Sequence, residues 1–93
     1  MQLGEFQDVI AATYGERDRR RGTPATVAWL CEELGELAQA TRKGTVDEQR
    51  HELGDVLAWL ASLAHQLDLS MSDAVARYAD GCPRCGAQPC ACP

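Results

Sequence analysis

Two acidic pairs, Glu33 with Glu36 and Glu52 with Asp55, interrupt apolar helical patterns at the same three-residue step. Positions i and i+3 of an α-helix stand about 60° apart around its axis, so each pair turns both carboxylates the same way. On a wheel with Leu30 at zero, Leu34, Leu37, Ala38 and Thr41 lie within about 80°, and Glu33 falls near 300°, between Leu37 and Ala40. With Leu53 at zero, Glu52 falls near 260°, among Val56, Trp59 and Leu63. Acids in those positions encroach on stripes meant for a core. Packed antiparallel, the two helices bring four carboxylates to one point, where desolvation and mutual repulsion favour a cation among them. Donors that are all oxygen favour Mg²⁺ or Mn²⁺. Surface acids paired with Arg42 or Arg50 are the plainer alternative, which suits one isolated glutamate better than two such pairs.

The rest of the pattern is helical as well. Leu3, Phe6, Ile10 and Tyr14 recur at steps of three and four, predicting a first helix to about Arg20 that Gly22 ends. Thr23-Pro24 reads as a cap followed by proline at the first helical position, starting a second helix through about Lys43, which Gly44 stops. Thr45 and Glu48 fit a capping box for a third helix to about Leu67. Ser70 or Ser72 then caps a shorter fourth helix reaching Tyr78 or Ala79. No alternating β-branched run marks a strand. The expected fold is therefore all-α, a bundle of about four helices over residues 1–80. From Gly81 the composition changes to Gly, Pro and Cys, setting off residues 81–93 as a separate tail. Cys31, about 100° from Leu30, reads as a small core residue or an inert thiol.

Charge and size restrict the partners. A net charge of -5 argues against a nucleic-acid polymer, because phosphate backbones need a basic face. The one basic cluster, Arg17, Arg19, Arg20 and Arg21, reads as a solvated helix end. No apolar run approaches the roughly 20 residues a bilayer requires. The start Met1-Gln2-Leu3-Gly4-Glu5 lacks the features of a secretory signal, so the expectation is a cytoplasmic protein. A chain of 93 residues builds only a modest core, which a subunit partner or a bound metal would support, so oligomerisation is expected. In a reducing compartment, the C-x2-C and C-x-C steps of Cys82, Cys85, Cys90 and Cys92 point to a structural Zn²⁺ knuckle in preference to disulfides.

Glu32-Glu33-x-x-Glu36, fifteen intervening residues and Glu52-x-x-Asp55 resemble the EExxE...ExxD signature of the all-α nucleoside triphosphate pyrophosphohydrolases. The contexts Glu36-Leu37-Ala38, Arg42-Lys43-Gly44 and Glu52-Leu53-Gly54-Asp55-Val56-Leu57 are most similar to the MazG-like branch, with the similarity running from about Thr23 to Leu69. The resemblance implies a homodimer or tetramer that hydrolyses a nucleoside triphosphate to the monophosphate and pyrophosphate, in the removal of unwanted nucleotides. It implies Mg²⁺ on Glu33, Glu36, Glu52 and Asp55, with Glu32 a further ligand or water-orienting base. Lys43 is either a phosphate contact or a solvated helix-end lysine. Trp29, one turn before Glu33, can stack on a nucleobase, although aromatics at such spacing more often join a core, as Trp59 is expected to. His51 reads as a surface residue or outer-shell donor, and His65 as structural. The family pattern continues with a polar, basic segment that closes over the phosphates, whereas this chain carries the cysteine tail, with Arg84 its one basic residue. The alternative from another class is a non-catalytic helical metal-binding module whose knuckle contacts a protein partner.

Overall fold

The computed structural model describes residues 1–93. Three long helices come first: α1 (Leu3–Arg21), α2 (Thr23–Lys43) and α3 (Val46–Gln66). A short α4 (Met71–Val75) runs into a 3-10 turn over Ala76–Tyr78, and the cysteine tail follows. The fold is all-α, and no helix is long and apolar enough to cross a membrane.

The helix ends follow local chemistry. At α3 the Thr45 hydroxyl accepts from the Glu48 N–H at 3.2 Å while the Glu48 carboxylate accepts from the Thr45 N–H at 3.3 Å, the reciprocal pair expected of this sequence. Ser70 caps α4 by accepting from the Asp73 N–H at 3.1 Å. The start of α2 differs from expectation by one residue, because Gly22 and not Thr23 is the N-cap. Its φ of +83° is open to glycine and strained for other residues, and it lets α1 end and α2 begin with no intervening loop.

Polar side chains tie the helices together. Gln66 Nε2 donates to the Thr26 hydroxyl at 2.7 Å, and that hydroxyl, fully buried, donates to the Gly22 carbonyl at 2.9 Å. The Gln7 amide holds the segment before α4, donating to the Leu69 carbonyl at 2.7 Å and accepting from the Met71 N–H at 2.8 Å. Gln49 Nε2 reaches the Ala40 carbonyl at 3.1 Å and pins the turn between α2 and α3.

Only eight of the 93 residues are buried, and the four hydrophobic ones, Ile10, Ala40, Val56 and Ala61, form the core. Large apolar side chains stand in the open instead, among them Val27, Leu34 (47% exposed), Leu53 (50%) and Leu57 (40%). Cys31 is exposed too, which corrects its reading as a core residue. The apolar stripe of α2 is wider than the neighbouring helices of one chain can cover.

Candidate functional site

The two-residue turn at Gly44-Thr45 folds α3 back along α2 and sets their acids face to face. Carboxylate oxygens of Glu33, Glu36 and Glu52 lie within 4.8 Å of one another. Atoms of His51, Glu52 and Asp55 form a second group within the same limit. The acids thus make two overlapping triads joined at Glu52, where the sequence suggested a single group of four. Three residues of helix amount to about 4.5 Å of rise, which carries Asp55 along α3 from Glu52. His51 Nε2, 3.3 Å from Asp55 Oδ2, engages it there. Glu32 is exposed and outside both triads.

No lysine or arginine neutralises this cluster. Arg50 is taken by Asp47 at 2.7 Å, and Arg42 makes no ion pair. Glu33 Oε2 and Glu52 Oε2 are buried without a hydrogen-bond partner. Burial is the first cause that raises the Glu33 carboxyl above its ordinary range, followed by the charges of Glu36 and Asp55. Glu52 is raised in the same way, by burial and then Glu36, with His51 opposing. Two orphaned anionic oxygens in an all-oxygen donor set fit a hard divalent cation.

A cleft of about 260 Å³ adjoins the acids, lined by Tyr14, Arg17, Asp18 and Arg21 of α1 and by Asp55 and Trp59 of α3. The Arg21 guanidinium lies 4.8 Å over the Trp59 ring and donates to Asp18 Oδ1 at 2.6 Å. Asp18 itself is 1% exposed. Part of the basic cluster read as a solvated helix end is therefore docked against an aromatic ring beside an acid of the cage. A signal was present, since Asp18 stands eight residues after Ile10 on the apolar stripe of α1, with Arg21 one turn later. Trp29 stacks on Trp59, ring centroids 5.8 Å apart and planes 7° from parallel, yet it is 47% exposed and not a core residue. Lys43 lies elsewhere, in a recess of about 490 Å³ shared with Glu36, Gln39, Glu48 and Glu52.

Residues 21–84 match the model of the MazG nucleotide pyrophosphohydrolase domain, well over half of the chain. The chain belongs to the MazG nucleotide pyrophosphohydrolase family. No curated protein matches it. The general activity of the MazG family is nucleotide pyrophosphohydrolysis, a hydrolase reaction supported by a divalent metal, and the whole acidic cluster lies inside the matched segment. Most of α1, including Arg17 and Asp18, precedes that segment, as do Gln7 and Tyr14.

The MazG match also stops before three of the four tail cysteines. Cys82, Cys85, Cys90 and Cys92 nevertheless converge, with one sulfur of each within 4.8 Å of the others, and all are free thiols. Backbone N–H groups of Cys85 and Arg84 lower the Cys82 thiol, and those of Ala91 and Ala87 bring Cys85 down to about 6. The other sulfurs, Cys90 first, push Cys92 up to about 11.

Proposed function

We propose that this chain is a Mg²⁺-dependent pyrophosphohydrolase, with Mn²⁺ an alternative ion, that hydrolyses a nucleoside triphosphate to the monophosphate and pyrophosphate. The observation that carries this reading is the pair of buried, unpartnered carboxylate oxygens on Glu33 and Glu52. Anionic groups left this way are costly in a metal-free chain, so a site that keeps them is arranged for a cation. Glu33, Glu36, Glu52 and Asp55 would hold it. When bound, Mg²⁺ supplies positive charge against the triphosphate and acidifies water.

The remaining work falls to the side chains. Water attacks the α-phosphorus and gives up a proton, the bond from the α-phosphorus to the α–β bridging oxygen breaks, and pyrophosphate departs with that oxygen. Arg17 and Arg21, beside Asp55, are placed to bind phosphate oxygens and spread the charge that grows on the leaving group. They take the part that the family pattern gives to a basic closing segment, in whose place the cysteine tail stands. Arg21 arrives oriented by Asp18 and the Trp59 ring, so little freedom is lost when it binds an anion. The exposed face of Trp29 offers a stacking surface for the base. Glu32, next to the cage, orients water, and Lys43 contacts the outer phosphates from the second recess. Removal of unwanted nucleotides in the cytoplasm is the corresponding role.

The enzyme acts as a homodimer or tetramer. Val27, Cys31 and Leu34 form one exposed stripe on α2, and Leu53, Leu57 and Leu60 another on α3, both at coiled-coil-like steps of three and four. A second copy of the same helices is the partner whose pattern fits. Pyrophosphate release from a mixed panel of nucleoside triphosphates with Mg²⁺ tests the reading. Turnover is expected that Glu52→Gln abolishes while helicity is retained. Absence of turnover across the panel, with the metal bound, would leave a non-catalytic metal-binding module.

A further inference from the structure

The tail has no core. Cys85, Gly86, Gln88, Pro89, Cys90 and Ala91 are exposed, and from Cys82 onward every hydrogen bond stays inside the segment. It is folded nonetheless. The Cys82 N–H donates to the Ala87 carbonyl at 3.0 Å, and the Gly86 N–H donates to the Cys82 carbonyl at 2.7 Å. Gly86 takes a φ of +74°, and a side chain at that position would strain the turn. Two backbone hydrogen bonds exposed to water do not offset the entropy of ordering a dozen residues, at about 1–2 kcal/mol each. A cross-link is required, and the sulfur arrangement identifies its kind.

Cys82 Sγ lies 3.7 Å from Cys92 Sγ, and Cys85 Sγ lies 3.9 Å from Cys90 Sγ. A disulfide would bring sulfurs to about 2.05 Å. Four thiolates around one Zn²⁺, each at about 2.3 Å, stand about 3.8 Å apart along the edges of the tetrahedron. Both separations match the zinc edge. The Ala91 N–H donates to Cys85 Sγ at 3.3 Å and the Cys92 N–H to Cys90 Sγ at 3.4 Å, contacts that stabilise thiolates and orient them inward.

We propose that Cys82, Cys85, Cys90 and Cys92 form a four-thiolate Zn²⁺ site that folds the C-terminal tail as a unit of its own. Four sulfur ligands close the tetrahedron and leave no position for water or substrate, so the ion is structural. The two donor sets of the chain then divide metals by softness, oxygen taking the hard ion and sulfur the soft one. The proposal goes beyond the pyrophosphohydrolase reading and stands or falls separately from it.

The full chain, reduced and freed of metal, is titrated with Co²⁺ and then Zn²⁺ while thiols are counted by alkylation and intact mass. The expected result is visible bands of tetrahedral sulfur coordination that saturate at one Co²⁺ per chain and are displaced by Zn²⁺, with alkylation falling from five thiols to Cys31 alone. Cys82→Ser and Cys90→Ser should each weaken binding at least ~100-fold, more than an outer-shell partner costs, with Cys31→Ser unchanged. Helicity should be the same in all variants, since from Cys82 onward the tail makes no hydrogen bond to the helices. Five reactive thiols at saturating Zn²⁺, or a cobalt titration that raises no bands of sulfur coordination, would overturn the proposal.

Discussion

Glu36 shapes the cage more than its own exposure suggests. Its charge is the second cause of the upward shift at both Glu33 and Glu52, so removing it should relieve both. In Glu36→Gln the metal-free chain is expected to melt at a higher temperature, while pyrophosphate release falls at least ~100-fold. Paired thermal melts and turnover assays check the opposing changes. The same carboxyls give the metal-free chain a pH dependence of definite sign. Their folded pKa values lie above the ordinary 4.5. The stability they contribute is therefore fully present below the unfolded pKa and is lost as pH rises through the raised folded values. Melts in EDTA should show that decline, the double variant Glu33→Gln with Glu52→Gln should flatten it, and saturating Mg²⁺ should offset it. At this scale the acids were legible because i, i+3 spacing is local and survives any tertiary arrangement. The sharing of Glu52 between two triads was not, since it depends on how α2 and α3 are set against each other.

Each helix carries its own start signal, and the clearest belongs to α3. Thr45→Ala removes the hydroxyl that satisfies the Glu48 N–H and should cost about 1 kcal/mol in urea unfolding. Two residue types in one box announce that boundary, which is why it could be read directly. The start of α2 was read one residue late because Thr23-Pro24 imitates a cap, whereas the positive φ of Gly22 ends α1 and opens α2 at once. The docking of α1 was less legible still. Arg21 meets Trp59 across 38 positions of sequence, and no local pattern encodes that contact. Asp18 anchors the arginine there, so Asp18→Ala should raise KM for the triphosphate more than it lowers kcat, as steady-state kinetics would resolve. An equal fall in kcat with KM unchanged would argue against phosphate binding by Arg21.

The whole chain exposes much of the apolar surface that its sequence sets aside for burial. The wheels identified the stripes through Leu34 and Leu53, but they could not say whether this chain or a second copy covers them. With eight residues buried, one chain leaves both stripes open, the surface on which the proposed dimer or tetramer is built. In size-exclusion chromatography with light scattering the wild-type chain is expected to run as a dimer or tetramer, and Leu53→Glu with Leu57→Glu as a monomer. Activity should fall with it if the cleft is completed across subunits. All of this rests on Glu33, Glu36, Glu52 and Asp55 being held together, without a counter-ion, for the sake of a hard cation. Electron paramagnetic resonance of Mn²⁺ titrated into the wild-type chain and into Glu36→Gln and Glu52→Gln measures that directly. Loss of the free-ion signal on wild type, reversed by Mg²⁺ and weakened at least ~10-fold in each variant, is the predicted result. Equal Mn²⁺ binding by all three proteins, or none by the wild type, would contradict it.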